Sequence, residues 1–139
     1  MPEHVAVLLV AGCFLGLTGA AGAAERPDPA AAAKGKLIYQ RYCTSCHGSE
    51  GRGNGPLAAE LRTAPTDLTR LAEKNTGRFP VELVARSIDG RRTVRAHGAP
   101  DMPVWGEIFP RTGGTDSPSV DSAVGRITQY VWSIQTPRP

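Results

Sequence analysis

The sequence predicts an all-α domain. Helix-period apolar positions recur in two well-separated segments, no segment of useful length follows the two-residue period of a strand, and Gly- and Pro-rich stretches separate the helical ones. About four to five helices are expected, with no internal repeat.

The first helix is expected over Ala30 to Tyr42, an Ala-rich stretch that sets Leu37, Ile38 and Tyr39 among Lys and Arg and runs into Cys43. From Gly48 to Gly55 the run G-S-E-G-R-G-N-G reads as a loop, which Pro56 closes. Thr66 or Asp67 then caps a short helix reaching Lys74, and Pro80 suits the first position of another that ends at Asp89. Gly90 to Asp101 keeps no period and leads as a surface loop to Met102. Gly113 to Pro118 is a second loop. Ser119 is the expected cap of a last helix reaching about Gln135, with Val120, Val124, Ile127, Val131 and Ile134 on one apolar stripe.

Val5 to Ala24 carries no charge, ends in the small-residue run A-G-A-A and gives way to the polar E-R-P-D-P. Residues 1–24 therefore read as a signal peptide, cut near Ala23 or Ala24, with Ala21 and Ala23 forming an A-x-A site. Two rivals share the segment. An uncleaved anchor is one, since about twenty uncharged residues just span a bilayer; a lipid-modified Cys13 after V-A-G is the other. The Gly/Ala-rich second half is only weakly apolar, which favours cleavage. On all three readings the remainder is exported, and the periplasm is its expected location. Residues 25–30 form a linker, and residues 31–136 form one domain. About 115 residues suffice for one core and are too few for two.

Large apolar residues are thin, with three Phe and two Trp, so a bound prosthetic group is expected to complete the core. Formal charge is +3, and it becomes +4 when Glu3 leaves with the leader. A modestly basic surface suits docking on an acidic protein partner. No dense Lys/Arg cluster or arginine stripe interleaved with aromatics is present, which sets nucleic acid aside.

C-T-S-C-H at Cys43 to His47 is the pattern in which two thiols add across the vinyl groups of one haem and the adjacent imidazole takes the iron. Two intervening residues let both sulfurs reach neighbouring edges of one porphyrin, and the turn then brings His47 over the metal. Covalent attachment retains the haem outside the cell. Three other readings compete: a Cys43–Cys46 disulfide, at home in an exported protein; a zinc site, which lacks four ligands once Cys13 is removed; and a thioredoxin-like dithiol, which lacks its βαβ context.

Iron held by one His needs a second protein ligand or keeps an open position, and this choice separates carriers from gas chemistry. The chain has two Met, of which Met1 is the initiator, so Met102 is the candidate thioether. It sits in D-M-P-V-W-G, where Pro103 limits backbone freedom. A soft sulfur ligand favours ferrous iron and raises the potential. Core filling is the bland alternative for a Met. His97, in A-H-G-A-P, is the competing ligand and would give a bis-His haem of lower potential.

With C-T-S-C-H, M-P-V-W-G and the two terminal helices in view, the chain resembles class I cytochrome c, particularly the short, mono-haem bacterial periplasmic members, over about residues 31–136. The resemblance implies the cytochrome c fold around one covalently bound haem c and its iron. It implies that Gly35 and Tyr39 of the first helix pack against Tyr130 of the last. It implies further that the Pro56 carbonyl accepts the His47 Nδ1 proton, orienting the ring and raising its basicity; loop closure is the alternative role for Pro56. Trp105 is placed to donate its indole N–H to a haem propionate, or else to pack in the core. Arg91, Arg92 and Arg95 border the propionates or are simply solvated.

The expected function is a carrier of single electrons between periplasmic or membrane redox partners, without catalysis of its own. The longer basic stretch between Pro65 and Gly90, with P-T-D-L-T-R-L and R-F-P-V-E-L, resembles cytochromes that serve larger redox enzymes. It supports the alternative of a haem c electron-transfer subunit of a periplasmic dehydrogenase or terminal oxidase complex. A gas-reactive haem with an open position is a third class, which Met102 argues against. Membrane association through the N-terminal segment accompanies the anchor reading.

Overall fold

Asp28 starts the first helix: its carboxylate accepts the Ala31 N–H at 2.8 Å, and Pro29 fits the first turn, where no intrahelical N–H is required. The computed structural model describes residues 26–91, 102–109 and 122–136. Helix α1 (Pro29–Tyr42) buries Ala31, Ala32, Gly35 and Tyr39, spaced so as to share one face. A one-turn helix α2 (Thr44–His47) follows after Cys43, and α3 (Val81–Asp89), α4 (Trp105–Ile108) and α5 (Ala123–Ser133) complete the α-helices among the described residues. Three short 3₁₀ turns lie between α2 and α3, and no strand occurs among the described residues.

Helices α1 and α5 form the frame. Ser122 caps α5 by accepting the Gly125 N–H at 2.9 Å, and Val124, Ile127 and Val131 make its buried stripe, with Tyr130 beside them. A Cβ on Gly35 would fall inside the Arg126 carbonyl and 3.0 Å from the Ile127 nitrogen, so only glycine lets the two backbones approach this closely. One turn on, the Tyr39 and Tyr130 rings meet at 5.0 Å, tilted by 54°. The expected contact of Gly35 and Tyr39 with the last helix is therefore present. The expected cap Ser119 and the stripe residue Val120 lie outside the described residues; Ser122 is the cap that the structure shows.

Helix α3 is amphipathic, turning Val84, Ala85 and Ile88 inward. Pro80 stands as its N-cap rather than its first residue. Phe79 stacks on Trp132 with centroids 5.5 Å apart and planes within 9°, which ties the approach to α3 onto the end of α5. The buried core runs through Tyr39, Ala72, Phe79, Val84, Ile88, Ile127, Tyr130 and Val131.

The short helix expected up to Lys74 is instead two 3₁₀ turns, Leu68–Arg70 and Glu73–Asn75. Asp67 does cap the first, accepting the Thr69 N–H at 2.9 Å and the Thr69 hydroxyl at 2.6 Å. Continuation as an α-helix would need Ala72 N–H to donate to the Leu68 carbonyl. The buried Gln135 amide takes both partners: its Oε1 accepts from Ala72 at 2.9 Å and its Nε2 donates to Leu68 at 2.7 Å. A second donation from Nε2, to the Val131 carbonyl at 2.7 Å, anchors that amide to the last turn of α5. No helix among the described residues is long and apolar enough to cross a membrane.

Candidate haem site

Cys43 closes α1, its N–H still donating to the Tyr39 carbonyl at 2.8 Å, and α2 winds on at once, with His47 N–H donating back to the Cys43 carbonyl at 2.9 Å. Cys43 and Cys46 are thus three residues apart on one turn and present their sulfurs to the same side. Both are free thiols, so no disulfide joins them. Burial, and secondarily the neighbouring Cys46, pushes the Cys43 thiol up to about 12, which keeps it neutral. Among the described residues no group of three or more His, Cys, Asp or Glu gathers to hold a bare metal ion, and the zinc reading has no ligand set.

Gly48 ends α2 with a φ of 79°, a conformation that glycine adopts freely. The loop then folds back on the motif through three rungs: Gly53 N–H to His47 carbonyl at 2.8 Å, Gly55 to Cys46 at 3.0 Å and Leu57 to Ser45 at 2.8 Å. These rungs decide the environment of His47. Its Nδ1 lies 3.3 Å from the Thr66 carbonyl. With the proton placed there, Nε2 keeps the lone pair that a metal takes. Burial holds His47 below the ordinary imidazole range, against a smaller opposing effect of the Thr66 carbonyl, and so favours the neutral ring that coordinates metals.

The carbonyl facing Nδ1 is therefore that of Thr66 and not that of Pro56. The rungs pin Pro56 beside Thr44 and Ser45, on the flank of α2, while the chain returns at Pro65, whose carbonyl sits where a Cβ on Gly53 would go. Pro56 closes the loop and Thr66 orients the ring.

Met102 is half-buried and packs against the same buried core that Cys43 does. Trp105 stacks on Phe109 at 5.3 Å, with planes within 14°, and the Tyr42 ring stands edge-on to both, at 5.7 and 5.3 Å. The helix that follows Met102 thereby leans on the residue that precedes Cys43. For Trp105 the structure gives aromatic packing. Arg91 forks onto Asp89 through Nε and Nη2. Arg92, Arg95 and His97 lie outside the described residues.

These features fit a haem c. Two uncommitted thiols share one helical turn, an imidazole keeps Nε2 available, and a thioether reaches the same cluster. Half-buried Leu68, Leu71, Val81, Trp105 and Phe109 supply apolar contact around them. The sequence pointed to Cys43, Cys46, His47 and Met102 by motif and by elimination. It did not point to Thr66, Tyr42 or Asp89; the T-D-L-T cap at Thr66 was visible, but its carbonyl direction depends on the three rungs.

The fold and the site define a cytochrome c domain. Residues 30–111 match the model of the family described as cytochrome C oxidase, cbb3-type, subunit III, and the chain belongs to this family. A haem-based electron-transfer role follows from that membership. A solved structure, the Kuenenia stuttgartiensis reducing HAO-like protein complex, is similar to 83% of this chain at 30% identity with a TM-score of 0.51. The match covers 48% of that chain, so this chain spans about half its length. No curated protein matches.

Proposed function

We propose that the protein carries single electrons on one haem c, attached through Cys43 and Cys46 and held axially by His47 and Met102. The observation that supports this reading is that Cys43 and Met102 both pack against one buried cluster. A haem c bound there supplies a one-electron ferric/ferrous couple.

The chain's own residues set the conditions. Thr66 fixes the imidazole and raises its basicity. Met102 offers a soft ligand that favours the ferrous state. The apolar residues around the motif keep water away, which disfavours the more highly charged state. Trp105 donates to a propionate, and Pro56 closes the loop that shields the motif. The net charge of +3 suits redox partners with an acidic docking face. Residues 1–24 direct export to the periplasm and are removed there; the expected linker 25–30 is shortened, because α1 already starts at Pro29, and the haem domain follows to residue 136.

A second reading is favoured by the family description and by the name of the similar solved complex: the protein is the haem c electron-transfer subunit of a larger periplasmic or membrane redox assembly. Affinity purification from native membranes and periplasm separates the two readings: a stoichiometric partner establishes the subunit, and a monomer establishes the free carrier. The attachment is tested on a denaturing gel. Wild-type protein is expected to keep its haem colour, and the Cys43→Ser/Cys46→Ser double variant to lose it; colour retained in the double variant would overturn covalent attachment.

A further inference from the structure

Helix α4 has four residues, too few to hold a helical conformation by themselves, so its position depends on what it rests against. On one side it rests on Tyr42. On the other it rests on the turn that closes α3.

That turn is tightly built. Gly90 reverses the chain with a φ of 71° while its N–H donates to the Arg86 carbonyl. Arg91 donates Nε to Asp89 Oδ1 at 2.8 Å and Nη2 to Oδ2 at 2.5 Å, a two-pronged pair. Its side chains are 25% and 13% exposed. The segment after Met102 meets this turn closely at two glycines. A Cβ on Gly90 would lie 3.2 Å from Val104 Cα, and a Cβ on Gly106 would lie 2.6 Å from Asp89 Cγ and closer still to Arg91 Nε. Gly106 is buried against the ion pair.

We propose that the Asp89–Arg91 pair, packed against Gly106, positions the Met102 thioether and thereby sets the share of iron that lacks its sixth ligand. The proposal rests on the His47/Met102 reading. Asp89, Arg91 and Gly106 are positioning residues, acting through the chain between Val104 and Met102. A partly exposed ion pair contributes little to stability. Its use here is shape: a guanidinium held edge to edge with a carboxylate by two bonds makes a rigid shelf, which the flexible single-point ammonium of Lys does not reproduce.

The test compares holoprotein variants by three measurements: the ferric thioether-to-iron charge-transfer band, the rate of carbon monoxide binding to reduced protein, and the melting temperature. Carbon monoxide enters only where the thioether is off, so its rate reports the open share. Gly106→Ala and Arg91→Lys are expected to weaken the band and raise the rate by about tenfold, toward that of Met102→Ala. Arg70→Lys, in the exposed Arg70–Glu73 pair, serves as control and is expected to change neither. Wild-type band and rate in Gly106→Ala and Arg91→Lys overturn the proposal, whatever their melting temperatures. If Gly106→Ala does not fold, Arg91→Lys decides alone. If Met102→Ala itself moves neither observable, the axial reading has failed, and the proposal with it; if Met102→Ala opens the iron and the shelf variants do not, the proposal alone has failed.

Discussion

Tyr39 donates its phenolic proton to the Gly48 carbonyl at 2.7 Å, joining the crossing of α1 and α5 to the residue that follows His47. The side chain is fully buried, and burial raises its phenol well above the ordinary range, so it remains a donor at all ordinary pH values. The frame of the molecule thus reaches the site through one hydroxyl.

Tyr39→Phe keeps the ring contact with Tyr130 and removes that hydroxyl. Gly48 retains its bond from Gly51 N–H at 3.2 Å, so the expected loss is about 1 kcal/mol. Denaturant unfolding of the holoprotein measures it; an unchanged midpoint would show that the bond does not matter.

Met102→Ala is expected to abolish the red-edge charge-transfer band, admit carbon monoxide and lower the potential, because a thioether stabilises ferrous iron. Met102→His is expected to stay six-coordinate at a lower potential. His97→Ala is expected to leave all three observables near wild type. Opening of the iron by His97→Ala instead would make the protein a bis-His cytochrome.

Gln135→Leu fills similar space but strands the Ala72 N–H and the Leu68 carbonyl together. Leaving these two groups without partners costs about 2–6 kcal/mol, at about 1–3 kcal/mol each, reduced by whatever bond they form with one another and by solvent reaching the part-buried Leu68 carbonyl. Such relaxation would turn the two 3₁₀ turns into a longer α-helix, visible as added amide protection over residues 68–75. A melting temperature equal to that of wild type would refute the cost.

Asp67 is held below the ordinary carboxylate range, first by the Thr69 hydroxyl and then by the Thr69 N–H and nearby Arg52 and Arg70, against a desolvation that works the other way. A depressed folded-state pKa contributes stability above the unfolded pKa, and that contribution disappears as pH falls through the folded value. Asp67→Asn is therefore expected to flatten part of the acid limb of stability against pH, with little change in that slope near neutrality. Parallel acid limbs in the two proteins would count against the bond.

Much of the fold was legible because its signals are local. The first helix running into Cys43 and the apolar stripe of α5 need only spacing and residue type, and the Gly35/Tyr39/Tyr130 crossing is what the resemblance implies. The C-x-x-C-H turn is equally local. What stayed hidden depends on partners distant in sequence. A Gln at position 135 gives no hint that its amide will divide a helix 63 residues earlier. Likewise the choice between the Pro56 and Thr66 carbonyls turns on how far the Gly-rich loop doubles back, which composition does not record.

The three rungs from Gly53, Gly55 and Leu57 make the motif and the loop one unit. They occupy the carbonyls of Ser45, Cys46 and His47 in succession, so the turn that carries both thiols and the imidazole cannot shift without breaking them. Amides paired in this way open only when the whole segment opens. The loop thus works as a clasp, and the glycines that let the chain double back hold the spacing of Cys43, Cys46 and His47 fixed.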